Sequence, residues 1–416
     1  MLVVGHDPYI PRLVDPLIEE TFATLPAIML VGPRATGKTT TAARHVETVV
    51  RLDREQETAA FAADPDAALR RLREPVLLDE WQVVPEVLGA VKRAVDADYS
   101  PGRFILTGSV WSDSGGRTWP GTGRVVRVDM SGLAVKEIHR NTARPPFADL
   151  LAEGRITDLV VPPAPPDLGG YLDLALQSGF PQAHHMEPVV RERWLASYIE
   201  QTLTRDIESL DGRRDPVRLR AYFEAMALNT AGVVTDKTLY ESAAVNARTG
   251  EAYERLLRDL LLVDKIPAWF SNRLKRLVRS PKRYVVDPAL VAALLRADPE
   301  AVLRDSDLLG RVIDTFVAQQ LRAEVPICRS KPRIYHLRQD QGRHEVDIVL
   351  ELGMGRVIAI EVKAGAAPRT DAAKHLAWLR DELGDRFVAG VVLHTGSRLY
   401  ELGERIIAAP ICVIWG

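Results

Sequence analysis

Ile28-Met-Leu-Val-Gly-Pro-Arg-Ala-Thr-Gly-Lys-Thr39 is an apolar run that passes into a glycine-rich loop and then into a helix start. Gly32, Gly37, Lys38 and Thr39 satisfy every fixed position of the phosphate-binding pattern G-x-x-x-x-G-K-[ST]. Two glycines let the backbone curl so that successive N–H groups point inward and form an anion nest. A helix beginning near Thr39 adds its positive N-terminal end to that nest. The loop residues Gly32, Pro33, Arg34, Ala35, Thr36, Gly37, Lys38, Thr39 and Thr40 are therefore the expected ATP contacts. Lys38 is expected at the β- and γ-phosphates, and the Thr39 hydroxyl at Mg²⁺.

A second motif follows in Pro75-Val-Leu-Leu-Asp-Glu80, a short apolar run that reads as a buried parallel strand ending in two acids. Asp79 is positioned to hold Mg²⁺, usually through water, and Glu80 to polarise the attacking water. Arg103-Phe-Ile-Leu-Thr-Gly-Ser109 is a further apolar strand whose polar tip, Thr107 and Ser109, is expected to face the γ-phosphate. Arg124 follows a Gly-Thr-Gly turn. It is a candidate catalytic cation, in cis or on a neighbouring subunit, or else an exposed strand-edge arginine.

The chain has 416 residues, 46% hydrophobic and 26% charged, with a formal net charge of -2. That length predicts two or three domains. The near-neutral charge argues against a chain that coats nucleic acid throughout, while leaving room for a local basic patch. Two cysteines, Cys328 and Cys412, supply neither a disulfide framework nor a zinc quartet. With no signal-like start and no apolar run of about 18 residues, a soluble cytoplasmic protein without a membrane span is expected.

Along the chain, residues 9–25 read as a lead-in helix. Residues 48–53 read as a strand, 64–72 and 85–95 as helices, 111–123 as a mobile loop and 124–130 as an alternating strand. Alternating strands and helices predict a parallel three-layer α/β domain over residues 1–160. Residues 161–170 are a proline-rich linker, read from the stretch Val160-Val-Pro-Pro-Ala-Pro-Pro-Asp-Leu-Gly-Gly170. Residues 171–300 are expected to be mainly helical, the strongest helix spanning 191–207. Two short helices near residues 235–262 and strands at 262–269 and 283–287 then give a winged-helix outline. Arg273, Lys275, Arg276, Arg279 and Lys282 make the segment from Arg273 to Arg283 a basic wing. It suits nucleic acid on one reading, and a solvated basic hairpin or a protein-docking surface on the other.

Residues 301–416 change character again, with a helix at 308–324 and strands at 333–337, 344–350 and 357–363. Asp347 lies within one strand. Glu361 and Lys363, two residues apart, share one face of the next. Two acids and a lysine in this arrangement could hold Mg²⁺ and orient water for phosphodiester cleavage.

Together these residues resemble an AAA-type P-loop ATPase family with a C-terminal domain of unknown function, the AAA_14 plus DUF4143 architecture. The N-terminal resemblance rests on Tyr9-Ile-Pro-Arg12, the phosphate loop, Leu78-Asp-Glu-Trp-Gln82 with Pro85, Leu106-Thr-Gly-Ser109, Gly123-Arg124 and the stretch ending in Glu137. The middle match is Ser178-Gly-Phe-Pro181 with Tyr198 and Leu203-Thr-Arg-Asp-Ile207. At the C-terminus, Glu345-Val-Asp347 and Glu361-Val-Lys363 look like a PD-(D/E)xK nuclease signature. The resemblance implies an AAA-type P-loop sheet domain, a winged-helix region and a restriction-endonuclease-like α/β domain. Where relatives carry a helix glutamate, this chain has Asp314, one methylene shorter. Three functions compete: an ATPase that drives its appended domains, an ATP-regulated Mg²⁺-dependent nuclease, and a nucleotide-switched protein-binding module with an inactive nuclease-like fold, any of them able to act as an oligomer.

Overall fold

Five short apolar segments form a parallel sheet in the order β2-β3-β4-β1-β5. The strands are β1 (Ala27–Val31), β2 (Thr48–Arg51), β3 (Val76–Asp79), β4 (Phe104–Gly108) and β5 (Val125–Asp129). The computed structural model describes residues 9–109, 121–206, 215–270, 280–339 and 343–416. Every residue of β1, β3 and β4 is buried, as continuous apolar runs in a doubly covered parallel sheet must be. The register pairs Val31 with Gly108 and Asp79 with Thr107, so the loop, the acids and the polar tip emerge on one sheet edge.

Helices α1 (Asp15–Phe22), α2 (Lys38–Ala42), α3 (Glu55–Ala63), α4 (Pro65–Arg70) and α5 (Val87–Ala97) cover the sheet. The lead-in helix is shorter than its apolar spacing suggests: Pro16 sits in its first turn, and Leu13 and Val14 before it form a turn. Helix α3 escaped the sequence reading: only Phe61 of its nine residues is buried, so it carries almost no apolar periodicity. Asp64 caps α4 by accepting from the Ala67 N–H at 2.9 Å.

After α6 (Val135–Ile138) and α7 (Phe147–Ala152), the proline-rich stretch is shorter than expected. Asp167 caps a helix, α8 (Leu168–Leu176), that takes in its last residues. Then come α9 (Pro181–His184), α10 (Pro188–Gln201), α11 (Pro216–Leu228), α12 (Asp236–Ser242) and α13 (Ala247–Asp259). Thr235 and Asn246 cap the last two. The strand candidates after α13 pair as an antiparallel ribbon of β6 (Val263–Ile266) and β7 (Lys282–Val285). Helices α14 (Pro288–Leu295) and α15 (Pro299–Arg304) lead to α16 (Ser306–Glu324), whose start Asp305 caps.

The C-terminal unit is a six-stranded sheet in the order β12-β13-β11-β10-β9-β8. Its strands are β8 (Arg333–Gln339), β9 (His344–Glu351), β10 (Val357–Lys363), β11 (Phe387–His394), β12 (Tyr400–Gly403) and β13 (Ile406–Pro410). Strand β9 runs antiparallel to both β8 and β10, while β10, β11 and β13 are parallel. Helix α17 (Lys374–Leu383) covers one face. The other face shares one continuous core with α16 and the middle helices.

Candidate functional site

Left-handed Ala35 (φ 61°) and Gly37 (φ 91°) curl the loop between β1 and α2. Gly32 has no room for a side chain: an added Cβ would lie 2.0 Å from the Met130 carbonyl oxygen. Lys38 is buried and its Nζ donates to the Pro33 carbonyl at 2.8 Å. Burial pushes its pKa down to about 8, against the pull of Glu80 and Asp79. Thr39 Oγ1 donates to Asp79 Oδ1 at 2.7 Å, and Thr107 Oγ1 donates to the same oxygen. Glu80 is left-handed (φ 56°), and its Oε2 accepts from Ser109 Oγ at 3.1 Å and from Gln82 Nε2. Thr40, at the end of the expected contact set, is exposed.

Arg124 sits elsewhere. It precedes Val125, which pairs with Ala27 at the start of β1, about 13 Å along the strand from Val31. Its Nε donates to Asp96 at 2.7 Å, so a cis contact with a nucleotide on the loop is out of reach. An arginine from outside the loop that does reach it is Arg12. It donates to the Thr36 carbonyl at 2.7 Å, to the Ser131 carbonyl at 2.7 Å and to Glu137 Oε1 at 3.0 Å, all out of solvent. Glu137 Oε1 and Oε2 also accept from the Leu13 and Ala134 N–H groups. No local spacing marks Arg12 or Glu137. Only the two resemblance blocks that contain them gave a signal.

The middle unit reaches the loop. Tyr198, stacked on Trp194, donates its hydroxyl to the Arg34 carbonyl at 3.4 Å. The Leu133 N–H donates to the Gly179 carbonyl at 2.6 Å, and the Gly179 N–H to buried Asp287 at 2.7 Å. Asp287 also accepts from Ser178 Oγ at 3.0 Å. A cleft of about 540 Å³ lies between Gly32, Pro33 and Thr36 of the loop and Asp287, Gln319 and Arg322 behind it. The C-terminal half is joined to the N-terminal sheet unit as well. Lys136 Nζ donates to Glu324 Oε1 at 2.6 Å, and the Val135 N–H donates to Gln320 Oε1 at 2.8 Å. These buried contacts pack the C-terminal half directly against the segment after β5.

The four residues of the expected nuclease-like cluster converge, but not as a metal cage. Among the described residues, no group of three or more histidine, cysteine or carboxylate side chains is disposed to hold an ion. Lys282 lies between the acids, donating to Asp314 Oδ2 at 2.6 Å and to Asp347 Oδ1 at 3.1 Å. Tyr284 donates to Asp314 Oδ1 at 2.9 Å, and the Val362 N–H to Asp347 Oδ2 at 3.0 Å. Lys363 Nζ donates to Glu361 Oε2 at 2.8 Å, as the shared strand face requires. Burial lifts Asp314 to about 6, partly offset by Lys282. Burial would lift Asp347 too, but the Lys282 and Lys363 ammonium groups hold it below the ordinary carboxylate range.

Lys282 thus corrects the basic-wing expectation. It is buried rather than presented to phosphates, and Arg283 is buried against Glu254 and Asp236. Arg273, Lys275, Arg276 and Arg279 lie outside the described residues, as does most of the 111–123 loop.

Residues 25–139 match the family described as AAA domain, and residues 309–414 match a domain of unknown function, DUF4143. The chain has the AAA_14 plus DUF4143 architecture. Between those parts, residues 169–301 match a second domain of unknown function, DUF8612. Uncharacterized proteins of Mycobacterium tuberculosis and Mycobacterium bovis are each 27% identical to this AAA–DUF4143 chain over 390 residues, covering 92% of it and 80% of their own length. Among solved structures, a Walker-type ATPase of Pyrococcus abyssi aligns at 14% identity over 68% of this chain and 94% of that one, with a TM-score of 0.38. The DNA clamp loader delta protein of Bacillus subtilis aligns at 12% identity over 72% and 98%, with a TM-score of 0.25. Among the described residues no helix is long and apolar enough to cross a membrane.

Proposed function

We propose that the chain is a Mg²⁺-dependent ATPase whose nucleotide state is felt by the middle and C-terminal units packed against its loop. One observation carries the reading: Thr39 and Thr107 converge on Asp79, while Glu80 stands beside them, held by Ser109 and Gln82. An acid with two hydroxyls at the end of a parallel sheet, directly above a curled loop, suits a phosphate-bound cation. Thr39 and Asp79 would hold Mg²⁺, which when bound neutralises phosphate charge. Lys38 has only to exchange the Pro33 carbonyl for a phosphate oxygen. Glu80 accepts a hydrogen bond from the attacking water and orients it, and Ser109 steadies Glu80. A cytoplasmic location belongs to the same proposal.

The finer outlines have support of their own. Helices α11 to α13 followed by the β6–β7 ribbon favour a winged-helix reading of the middle unit. Helix α16 followed by the antiparallel β8-β9-β10 meander and parallel β11 favours a restriction-endonuclease-like reading of the C-terminal unit.

The test is steady-state ATP hydrolysis of purified protein beside ATP affinity. Lys38→Ala should weaken binding by roughly 2 kcal/mol or more, because a charge-assisted contact is lost. Glu80→Gln should bind ATP like the parent and hydrolyse it far more slowly. Parental hydrolysis by both variants would refute the assignment.

A further inference from the structure

We propose that Lys282 is a built-in counter-cation that holds the Asp314–Asp347–Glu361 cluster closed to a divalent metal, and that removing its charge opens a metal site there. The inference stands independently of the ATPase reading. Three acids from α16, β9 and β10 meet at one end of the C-terminal sheet, and Asp314, Asp347 and Lys363 line a cleft of about 510 Å³. A divalent ion bridging Asp314 and Asp347 would need the space between their carboxylates. The Lys282 ammonium fills it, 2.6 Å from one and 3.1 Å from the other, with the Asp347 carbonyl at 3.3 Å completing its three donations. A cation is therefore already resident, but as a point charge on a side chain rather than as a metal.

A second observation points to an unmet demand for positive charge. Glu361 is buried, and its Oε1 has no hydrogen-bond partner among the described residues, although Oε2 is held by Lys363. A metal ion would satisfy that oxygen. Lys282, committed to Asp314 and Asp347, does not.

The plug comes from outside the unit that supplies the acids. Lys282 opens β7, whose partner is β6 and whose next residue, Arg283, is anchored to Glu254 on α13. Asp347 and Glu361 sit on the six-stranded sheet.

The experiment titrates nucleotide-free protein with Mn²⁺ alone, reading free Mn²⁺ by electron paramagnetic resonance and melting temperature in parallel. Lys282→Met keeps the stem and removes the charge. It should bind Mn²⁺ at least about tenfold more tightly than the parent, with Kd near the roughly 10⁻⁴–10⁻³ M range of modest carboxylate sites. Mn²⁺ should raise the melting temperature of that variant and not of the parent. Adding Asp347→Asn should abolish both gains, which separates this cluster from Asp79 at the phosphate loop. If Lys282→Met is too unstable to purify, Lys282→Gln carries the same comparison. Parental Mn²⁺ binding as tight as the variant's, and lost with Asp347→Asn, would overturn the closed state. A variant that gains no binding would overturn the latent site.

Discussion

Arg12 and Glu137, 125 positions apart, form a buried ion pair at 3.0 Å directly behind the phosphate loop. Arg12 spends its other donors on the Thr36 and Ser131 carbonyls, so one side chain ties the loop to the segment after β5. Replacing it strands the Glu137 carboxylate in a dry site. Arg12→Met should therefore cost about 3–5 kcal/mol of stability and weaken ATP binding, although Arg12 needs no contact with phosphate. Urea denaturation beside ATP titration would check it. Parental stability would mean that water reaches the pair.

Gly32→Ala should abolish nucleotide binding while the rest of the protein folds. The new Cβ meets a backbone carbonyl at 2.0 Å, which no rotamer change relieves, so the loop itself must move. Fluorescent-nucleotide titration would read the loss, and circular dichroism the retained fold.

Ser109→Ala removes the 3.1 Å hydrogen bond to Glu80 and leaves Lys38 and Thr39 untouched. Hydrolysis should slow by roughly tenfold to a hundredfold, the worth of one hydrogen bond to a charged group, at unchanged ATP affinity. A change in affinity with hydrolysis intact would place Ser109 on substrate rather than behind Glu80.

Lys136→Met should destabilise the chain by about 3–5 kcal/mol, because Glu324 then lies buried without its cation. The double change with Glu324→Gln should recover part of that loss, since the lone charge is the source of the cost. Chemical denaturation of both variants decides it.

Buried His336 gives the pH dependence a sign. Its Nε2 lies 3.2 Å from the Ser280 carbonyl, and burial, with Lys282 nearby, pushes its pKa down to about 4. Between about 4 and the ordinary 6.5 the unfolded chain binds the extra proton, so stability is full above that window and lost as pH falls through it. His336→Gln should flatten the loss by up to about 3 kcal/mol, measured by urea denaturation at pH 7 and pH 4.5. An equal slope in the variant would assign the acid sensitivity to other groups.

The local chemistry of this protein was legible in its sequence. An apolar run, two glycines, a lysine and a threonine at set spacing specify the loop, because curling a backbone around phosphate requires those residues in that order. Asp79, Thr107 and Ser109 were legible for a related reason: in a parallel sheet the strand ends share one edge, and here all three lie on it. Glu361 and Lys363 had to share a face because a strand alternates with period two, and they pair at 2.8 Å.

What only the tertiary structure decided is which distant charges meet. From its turn Arg124 could be a catalytic cation, in cis or on a neighbouring subunit, or an exposed strand-edge arginine; the parallel register of β5 puts it at the edge away from the loop, paired with Asp96, while Arg12 reaches the loop. Lys282 looked like part of a basic wing because its neighbours are basic, yet it is buried between two acids of another unit. Spacing along a chain sets contacts within a turn or a strand. A buried ion pair between units depends on packing that no local pattern records.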